Sequence, residues 1–319
     1  MNDIKNMEKE PKIDKRVVSV SLGSSKRDHT AFAELLGKKF KIERIGTDGD
    51  FKKAIKLLKR MDGMVDAFGL GGADFYLGAG EKRYIIRDLV KVKNAVSKTP
   101  FVDGSEIKNT LERDVVDVLL KEGIRLKGKK VLMPSAVDRF GIAEEFYNAG
   151  CKTLFGDFIF GLGLPIPIRT IKTLKIIAKL LLPILTKLPF RILYPIGAEQ
   201  EKAPSKKYQK YYLDADIIAG DFLFIKKYMP DNLSGKIIIT NTITSDDLNE
   251  LRRRNLDILV TVTPEFSGRY FGTNVIDAII VSLIEKPVKE ITDNDYRDML
   301  SKLKFIPKIN YLHESSQLY

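Results

Sequence analysis

Short apolar runs of strand length alternate with amphipathic helical segments along almost the whole chain. That alternation constrains the fold more than any other feature, because it is the pattern of parallel sheets covered by helices on both faces. Apolar runs at 17–22, 40–45, 65–70 and 101–102 mark strands of a first unit. A polar loop over 23–29 and a short helix fill the space between the first two. Asp50 is placed to cap a helix ending near Met61, with Ile55, Leu58 and Met61 on one stripe. Residues 75–86 read as a small hairpin turning at 78–80. A long helix over 106–122, capped by Ser105, bridges to a second unit.

The second unit starts afresh after Gly128. Strands are expected at 131–133, 153–155, 216–219, 236–240 and 258–262. Helices are expected at 141–149, 245–254 and 274–284, the last closing this sheet. The fold class is therefore α/β: an N-terminal α/β domain followed by a variant Rossmann domain with a doubly wound parallel sheet. The boundaries read as a disordered tail over 1–15, a substrate domain with its bridging helix over 16–127, and a nucleotide-binding domain over 128–287. Residues 165–207 form a basic amphipathic insertion within that domain, and a helical extension over 288–319 contains a helix near 293–303.

Composition narrows the chemistry. One cysteine, Cys151, excludes an internal disulfide and a cysteine metal cage, and two histidines, His29 and His313, argue against a histidine-rich metal site. No metal is expected. A polar, charged start without a signal peptide points to a reducing cytoplasm. The net charge of +12 raises the question of nucleic acid. The chain has no zinc finger, RNA-binding signature or helix-turn-helix, so no nucleic acid is expected.

The sharpest local signal runs from Lys130 to Ala143, where a strand ends, a polar loop turns, and a helix begins at Gly141. Such a turn aims backbone N–H groups and a helix N-terminus at one point, which suits a phosphate. Ser135, Ala136, Asp138, Arg139, Phe140 and Gly141 are the candidate cradle. Asp157 stands 22 residues after Ser135 at the end of the next strand, where an acid takes a ribose hydroxyl and favours NAD over NADP. Packing of helix on strand is the alternative role for Gly141.

The same segment resembles the loop of predicted amino-acid dehydrogenases and long-chain acyl-carrier-protein reductases. Their motif Gly-Ala-Thr-Gly-x-Ile-Gly-x-Ala lies over Ser135 to Ala143, of which the last glycine, Gly141, is retained. The run Ala215 to Asp221 is similar to the fourth Rossmann strand of those enzymes and of shikimate and quinate dehydrogenases, and Gly235 to Asn241 to the strand that follows. The whole chain resembles a bacterial group labelled quinate 5-dehydrogenase. The resemblance implies an NAD(P)-dependent oxidoreductase acting on a small or carrier-bound carbonyl or alcohol. The alternative is a non-catalytic nucleotide- or metabolite-binding protein.

Ligands of open parallel sheets collect beyond the carboxyl ends of strands. Ser24, Lys26, Arg27 and Asp74 are placed there for a substrate, Asp221 and Asn241 for the cofactor. Lys108, Asp103 and His29 are the candidates for catalysis. Gly156-Asp-Phe-Ile-Phe160 is echoed by Gly220-Asp-Phe-Leu-Phe224, so Asp157 and Asp221 are candidates to face one ligand. Cys151 opens a strand and reads as a buried thiol before a nucleophile.

From Phe158 to Ala198 there is no Asp or Glu but six basic residues. Apolar positions recur there at helical spacing, and Pro183 and Pro189 interrupt the run. Three partners suit residues 168–195: an anionic membrane surface, an acidic carrier protein, or the body of this chain or a second copy of it, as in a homodimer.

Overall fold

The computed structural model describes residues 12–79, 82–193, 206–266 and 268–312. Its strands are β1 (Lys15–Ser21), β2 (His29–Leu35), β3 (Lys38–Gly46), β4 (Ala67–Gly71), β5 (Tyr76–Ala79), β6 (Lys82–Ile85), β7 (Phe101–Val102), β8 (Lys130–Met133), β9 (Lys152–Phe155), β10 (Ile217–Ala219), β11 (Ile237–Thr240), β12 (Ile258–Thr261), β13 (Glu265–Phe266), β14 (Arg269–Tyr270) and β15 (Lys308–Tyr311). The helices are α1 (Phe51–Met61), α2 (Val90–Lys93), α3 (Ser105–Asn109), α4 (Asp114–Lys121), α5 (Phe140–Asn148), α6 (Ile171–Leu185), α7 (Phe190–Leu193), α8 (Gln209–Asp214), α9 (Phe222–Lys226), α10 (Ser245–Arg253), α11 (Thr273–Leu283) and α12 (Asp293–Leu303).

Two larger sheets carry the α/β architecture. The first has the order β2-β3-β1-β4-β7, the second β15-β12-β11-β10-β8-β9. In the first sheet β1 lies between β3 and β4, parallel to both, and its Val17, Val18 and Val20 are fully buried. Burial on both faces is what an unbroken valine-rich run demands. In the second sheet β9, β8, β10, β11 and β12 run parallel, in the flavodoxin-like doubly wound order, and the order of strands reverses at β8.

Several expectations are corrected. The short helix expected after 29 is the strand β2, paired antiparallel with β3. Its residues alternate, with Ala31 buried and Phe32 exposed, a period of two rather than 3.6. Leu36 and Gly37 turn the hairpin with φ of 50° and 74°, the left-handed pair that matches the twist of two strands. The long bridging helix is broken into α3 and α4, and the cap of α3 is Gly104 at φ +92°, not Ser105. Thr110 ends α3, its hydroxyl donating 2.7 Å to the Glu106 carbonyl and competing with the helix ladder. The tail expected to be disordered over 1–15 enters the fold by Asp14, whose amide donates to the Lys39 carbonyl; residues 1–11 lie outside the described set. The terminal extension holds α12 as expected, but also β15, antiparallel on β12.

The largest correction concerns α11. It does not close the second sheet from outside. It packs against β4, β1 and α3, and residues Thr273 to Val281 are all buried. Gly69 in β4 makes this possible: a Cβ there would stand 2.5 Å from the Asn274 carbonyl oxygen. A helix from the second half of the chain therefore seats on a sheet made by the first. One apolar core joins them, running from Val17 and Phe40 through Ile276 and Ile279 to Val131 and Met133.

Candidate functional site

Three chain segments distant in sequence meet between the sheets. Lys108 comes from α3, Asp74 from the turn after β4, and Asp138 from the loop between β8 and α5. Lys108 Nζ donates to Asp74 Oδ2 at 2.6 Å and to Asp138 Oδ1 at 2.8 Å. The lysine and Asp74 side chains are only 11% and 10% exposed. Burial and the neighbouring Asp138 charge hold the Asp74 carboxyl well above the usual range, against the pull of Lys108. Burial would raise Asp138 too, but the Lys108 charge and a hydrogen bond from Asp74 bring it below the usual range. Burial would lower Lys108, yet the two carboxylates push it above its ordinary value. The centre thus presents an ammonium, a carboxylate and a proton-bearing acid side by side.

Beneath this centre lies a second pair. Arg139 forms an ion pair with Glu112, the two side chains being 5% and 1% exposed. This corrects the role expected for Arg139: its guanidinium is engaged by a buried carboxylate, not left for a phosphate. Its Nε, however, is buried without a hydrogen-bond partner.

The turn expected to cradle a diphosphate is filled from within. The Ala136 and Val137 amides both donate to Asp157 Oδ1, each at 3.0 Å. One carboxylate oxygen of Asp157 therefore locks the turn. Its Oδ2 is buried and without a partner, and burial pushes its pKa up to about 6 despite those two amides. Gly141 faces α3 rather than a ligand: a Cβ would meet Arg113 Nε at 3.0 Å and the Lys108 carbonyl at 3.1 Å. Phe140 is buried beneath Lys175, whose ammonium lies 5.2 Å from the ring centroid. These residues do not fit a diphosphate held on this turn in the Rossmann manner, so NAD has no cradle there.

Three cavities open around the Lys108 centre and the turn. A polar one of about 370 Å³ has Asp74, Arg83, Ser105, Lys108, Asn109 and Asp138 on its wall. A smaller one of about 130 Å³ adds Asp103, Arg139, Asp221, Asn241 and Asn274. The third, about 360 Å³, is mainly apolar. Its wall is Phe158, Ile177, Leu181, Leu185, Leu188 and Phe224, with Ser135, Asp138, Arg139, Asp157 and Asp221 at its polar end. The crevice beyond β8 and β10 is thus open, and Asp157 and Asp221 both border it.

The remaining expected residues divide. Asn241 is buried at the smaller cavity, where its side-chain oxygen accepts the Thr242 amide at 2.7 Å. Asp221 caps α9 by accepting the Leu223 amide at 2.9 Å. Asp103 accepts the Phe75 amide at 2.6 Å and the Ser105 amide at 3.0 Å, so it pins two loops while bordering the smaller cavity. His29 is corrected; it starts the edge strand β2 with its ring 5.7 Å from that of Phe271 and lines none of these three cavities. Ser24, Lys26 and Arg27 belong to the turn after β1, where Ser24 accepts the Lys26 amide at 3.3 Å. Arg27 borders a separate recess of about 100 Å³ with Ser19, Ser21, Arg44 and Gly71. None of the three reaches Lys108. Cys151 is buried, donates to the Leu126 carbonyl at 3.3 Å, and is pushed up to about 11 by burial, which makes it structural.

Sequence reasoning missed Glu112 and Asn274, and the apolar wall from α6. No local pattern joins Glu112 to Arg139. The leucines of α6 were visible as a stripe, but not what they cover.

No curated protein matches this chain. Solved structures share only a distant likeness: a galactofuranose binding protein at 14% identity, over 90% of this chain and 98% of that one, TM-score 0.36; and a hetero-hexameric glutamate dehydrogenase from Thermus thermophilus at 9%, over 91% and 74%, TM-score 0.37. A glucose-galactose binding protein from Geobacillus stearothermophilus follows at 11% identity, over 95% and 99%, TM-score 0.37. Residues 16–103 match the model described as Domain of unknown function (DUF8753). Residues 106–312, more than half of the chain, match Domain of unknown function (DUF8754), and the chain belongs to that family.

Proposed function

We propose that the protein binds a small amphiphilic metabolite bearing a hydroxyl or carbonyl group, with its polar end at Lys108 and its apolar part against α6. The carrying observation is a pair of orphaned polar atoms on residues that border the apolar cavity. Arg139 Nε and Asp157 Oδ2 are buried and make no hydrogen bond, Arg139 Nε standing 4.0 Å from Asp138 Oδ2, and both belong to residues bordering the apolar cavity. Buried donors and acceptors are almost always satisfied, so a ligand that donates to one and accepts from the other is the expected occupant. A hydroxyl does both. Lys108, Asp74 and Asp138 offer polar groups of mixed type on the adjoining polar cavity, which shares Asp138 with the apolar one.

A second reading, an NAD(P)-dependent oxidoreductase acting on a small or carrier-bound carbonyl or alcohol, is favoured by the Lys108–Asp74–Asp138 group. The Lys108 ammonium can donate a hydrogen bond to an alcohol oxygen, and the ionised carboxylate beside it can take up the alcohol's proton. Hydride transfer needs a nicotinamide, for which the locked turn offers no cradle.

Thermal-shift titration with quinate, shikimate, medium-chain 3-hydroxy acids, NAD and NADP separates the two readings. A rise in Tm with a hydroxylated compound alone, lost in Lys108→Met, supports the binding reading. Binding of NAD or NADP together with oxidation of any of these alcohols replaces it with the oxidoreductase. No shift with any compound overturns both.

A further inference from the structure

The helix α6 is apolar on two opposite faces. Its inner face is accounted for: Ile171, Leu174, Ala178 and Leu182 are buried, and Ile177, Leu181 and Leu185 wall the apolar cavity. Its outer face is not. Ile176, Leu180 and Ile184 are 51%, 65% and 62% exposed, and their i, i+4, i+8 spacing puts them on one line. Three more aliphatic side chains, Leu162, Leu164 and Ile166, are exposed on the segment leading into the helix. A helix in contact with water on one side keeps polar residues there, and a row of large aliphatics marks a surface that meets something else.

The charge around the row says what. Arg169, Lys172, Lys179, Lys187 and Arg191 are all exposed, and no acidic residue occurs between Phe158 and Ala198. Lys172 and Lys179 lie one heptad apart on the same flank of the aliphatic row. Lys175 turns the other way and bonds Glu144 at 3.0 Å. Aliphatic side chains flanked by long cationic ones, with acids excluded, match the boundary between acyl chains and anionic headgroups. Among the described residues no helix is long and apolar enough to cross a membrane, so contact lies in the plane of the surface.

We propose that α6 docks in-plane on an anionic lipid surface, inserting Ile176, Leu180 and Ile184 with Lys172 and Lys179 at headgroup level. This goes beyond the binding reading and does not depend on it, although the docked helix is also the wall of the apolar cavity.

Co-sedimentation of the full chain with vesicles tests it. Vesicles of phosphatidylcholine with about one-third phosphatidylglycerol should pellet the protein, and pure phosphatidylcholine should not. Raising the salt should release it, as screening of surface charge requires. Lys172→Gln and Lys179→Gln should each weaken the apparent affinity roughly fivefold, and the Leu180→Ser/Ile184→Ser double variant should abolish pelleting. These positions are exposed, so unchanged circular dichroism and Tm will show that the variants fold. Three outcomes overturn the proposal: no pelleting at low salt; equal binding to neutral and anionic vesicles; or a concentration-dependent dimer, by light scattering, that the double serine variant dissolves while vesicle binding is absent.

Discussion

The crevice beyond β1 and β4 in the first sheet and the crevice beyond β8 and β10 in the second arise from the same reversal of strand order, yet they are filled in opposite ways. In the first, α11 lies across the strands. Asn274 Nδ2 donates to Ser19 Oγ at 2.7 Å, Gly69 gives way to the Asn274 backbone, and a recess of about 100 Å³ lies beside them. In the second, a single carboxylate, Asp157, holds the turn, while cavities of about 360 and 370 Å³ remain beside it. Glycines in β4 let a backbone approach a backbone, which leaves little volume. The second sheet is covered near its crevice by side chains from α6 and from loops, which meet less closely. Topology selects where a crevice lies; the residues facing it decide whether a ligand can use it.

The comparison is broken most severely at Lys108. Lys108→Met leaves Asp74 and Asp138 buried without their cation, and a destabilisation of about 3–5 kcal/mol at pH 7 is expected. Asp138 is held below its ordinary pKa by Lys108 in the native protein, so the stability this pairing gives is present above the usual carboxylate range and lost as pH falls. The variant should therefore lie closer to wild type at about pH 2.5 than at pH 8 in chemical denaturation. A constant difference across that interval contradicts the assigned charges.

The closed crevice is tested at Gly104. It adopts φ +92° and a Cβ would lie 2.5 Å from the Asn274 amide nitrogen. Gly104→Ala combines backbone strain with a backbone clash, and a loss of about 2–3 kcal/mol is expected from Tm measurements. Ligand-induced shifts in the second crevice should survive it, since Gly104 borders none of the cavities at Lys108.

Asp157→Ala sharpens the contrast from the other side. It strips two amides of their acceptor, with an expected loss of about 1–3 kcal/mol. If the turn then behaves as an unblocked helix-side nest, millimolar phosphate should restore part of that stability in the variant and none in wild type. Equal responses to phosphate would show that Asp157 does not block the turn.

A purely pH-dependent effect is expected at the joint between the two regions. Asp277 of α11 accepts the Gly104 amide at 2.9 Å and shares a hydrogen bond of 2.6 Å with the Tyr296 hydroxyl. Burial pushes its pKa up to about 8, against the hydrogen bond from Tyr296 and with help from the Asp103 charge. A raised acid stays protonated in the fold while the unfolded chain ionises, so this residue lowers stability progressively between about pH 4 and pH 8. Asp277→Asn should remove that slope, its stability relative to wild type rising steadily from about pH 4 to pH 8. A variant whose stability profile parallels wild type would sink this assignment.

The sequence by itself determined the α/β class, most strand positions, the Asp50 cap of α1 and the start of α12, because each follows from local periodicity or a side chain bonding its own backbone. It also marked the switch-point loop at Ser135 to Gly141 and the acid-free insertion. Tertiary structure alone decided the use of both. Asp157 reached back to the loop and took its amides, Gly141 met Arg113, and Lys108 found Asp74 and Asp138 across separations of 34 and 30 residues. Likewise α11 crossed to the first sheet because Gly69, some two hundred residues earlier, left space for it. Such pairings carry no period and no spacing; they are set by which surfaces are complementary once the elements exist, and packing at that density is a property of the whole chain.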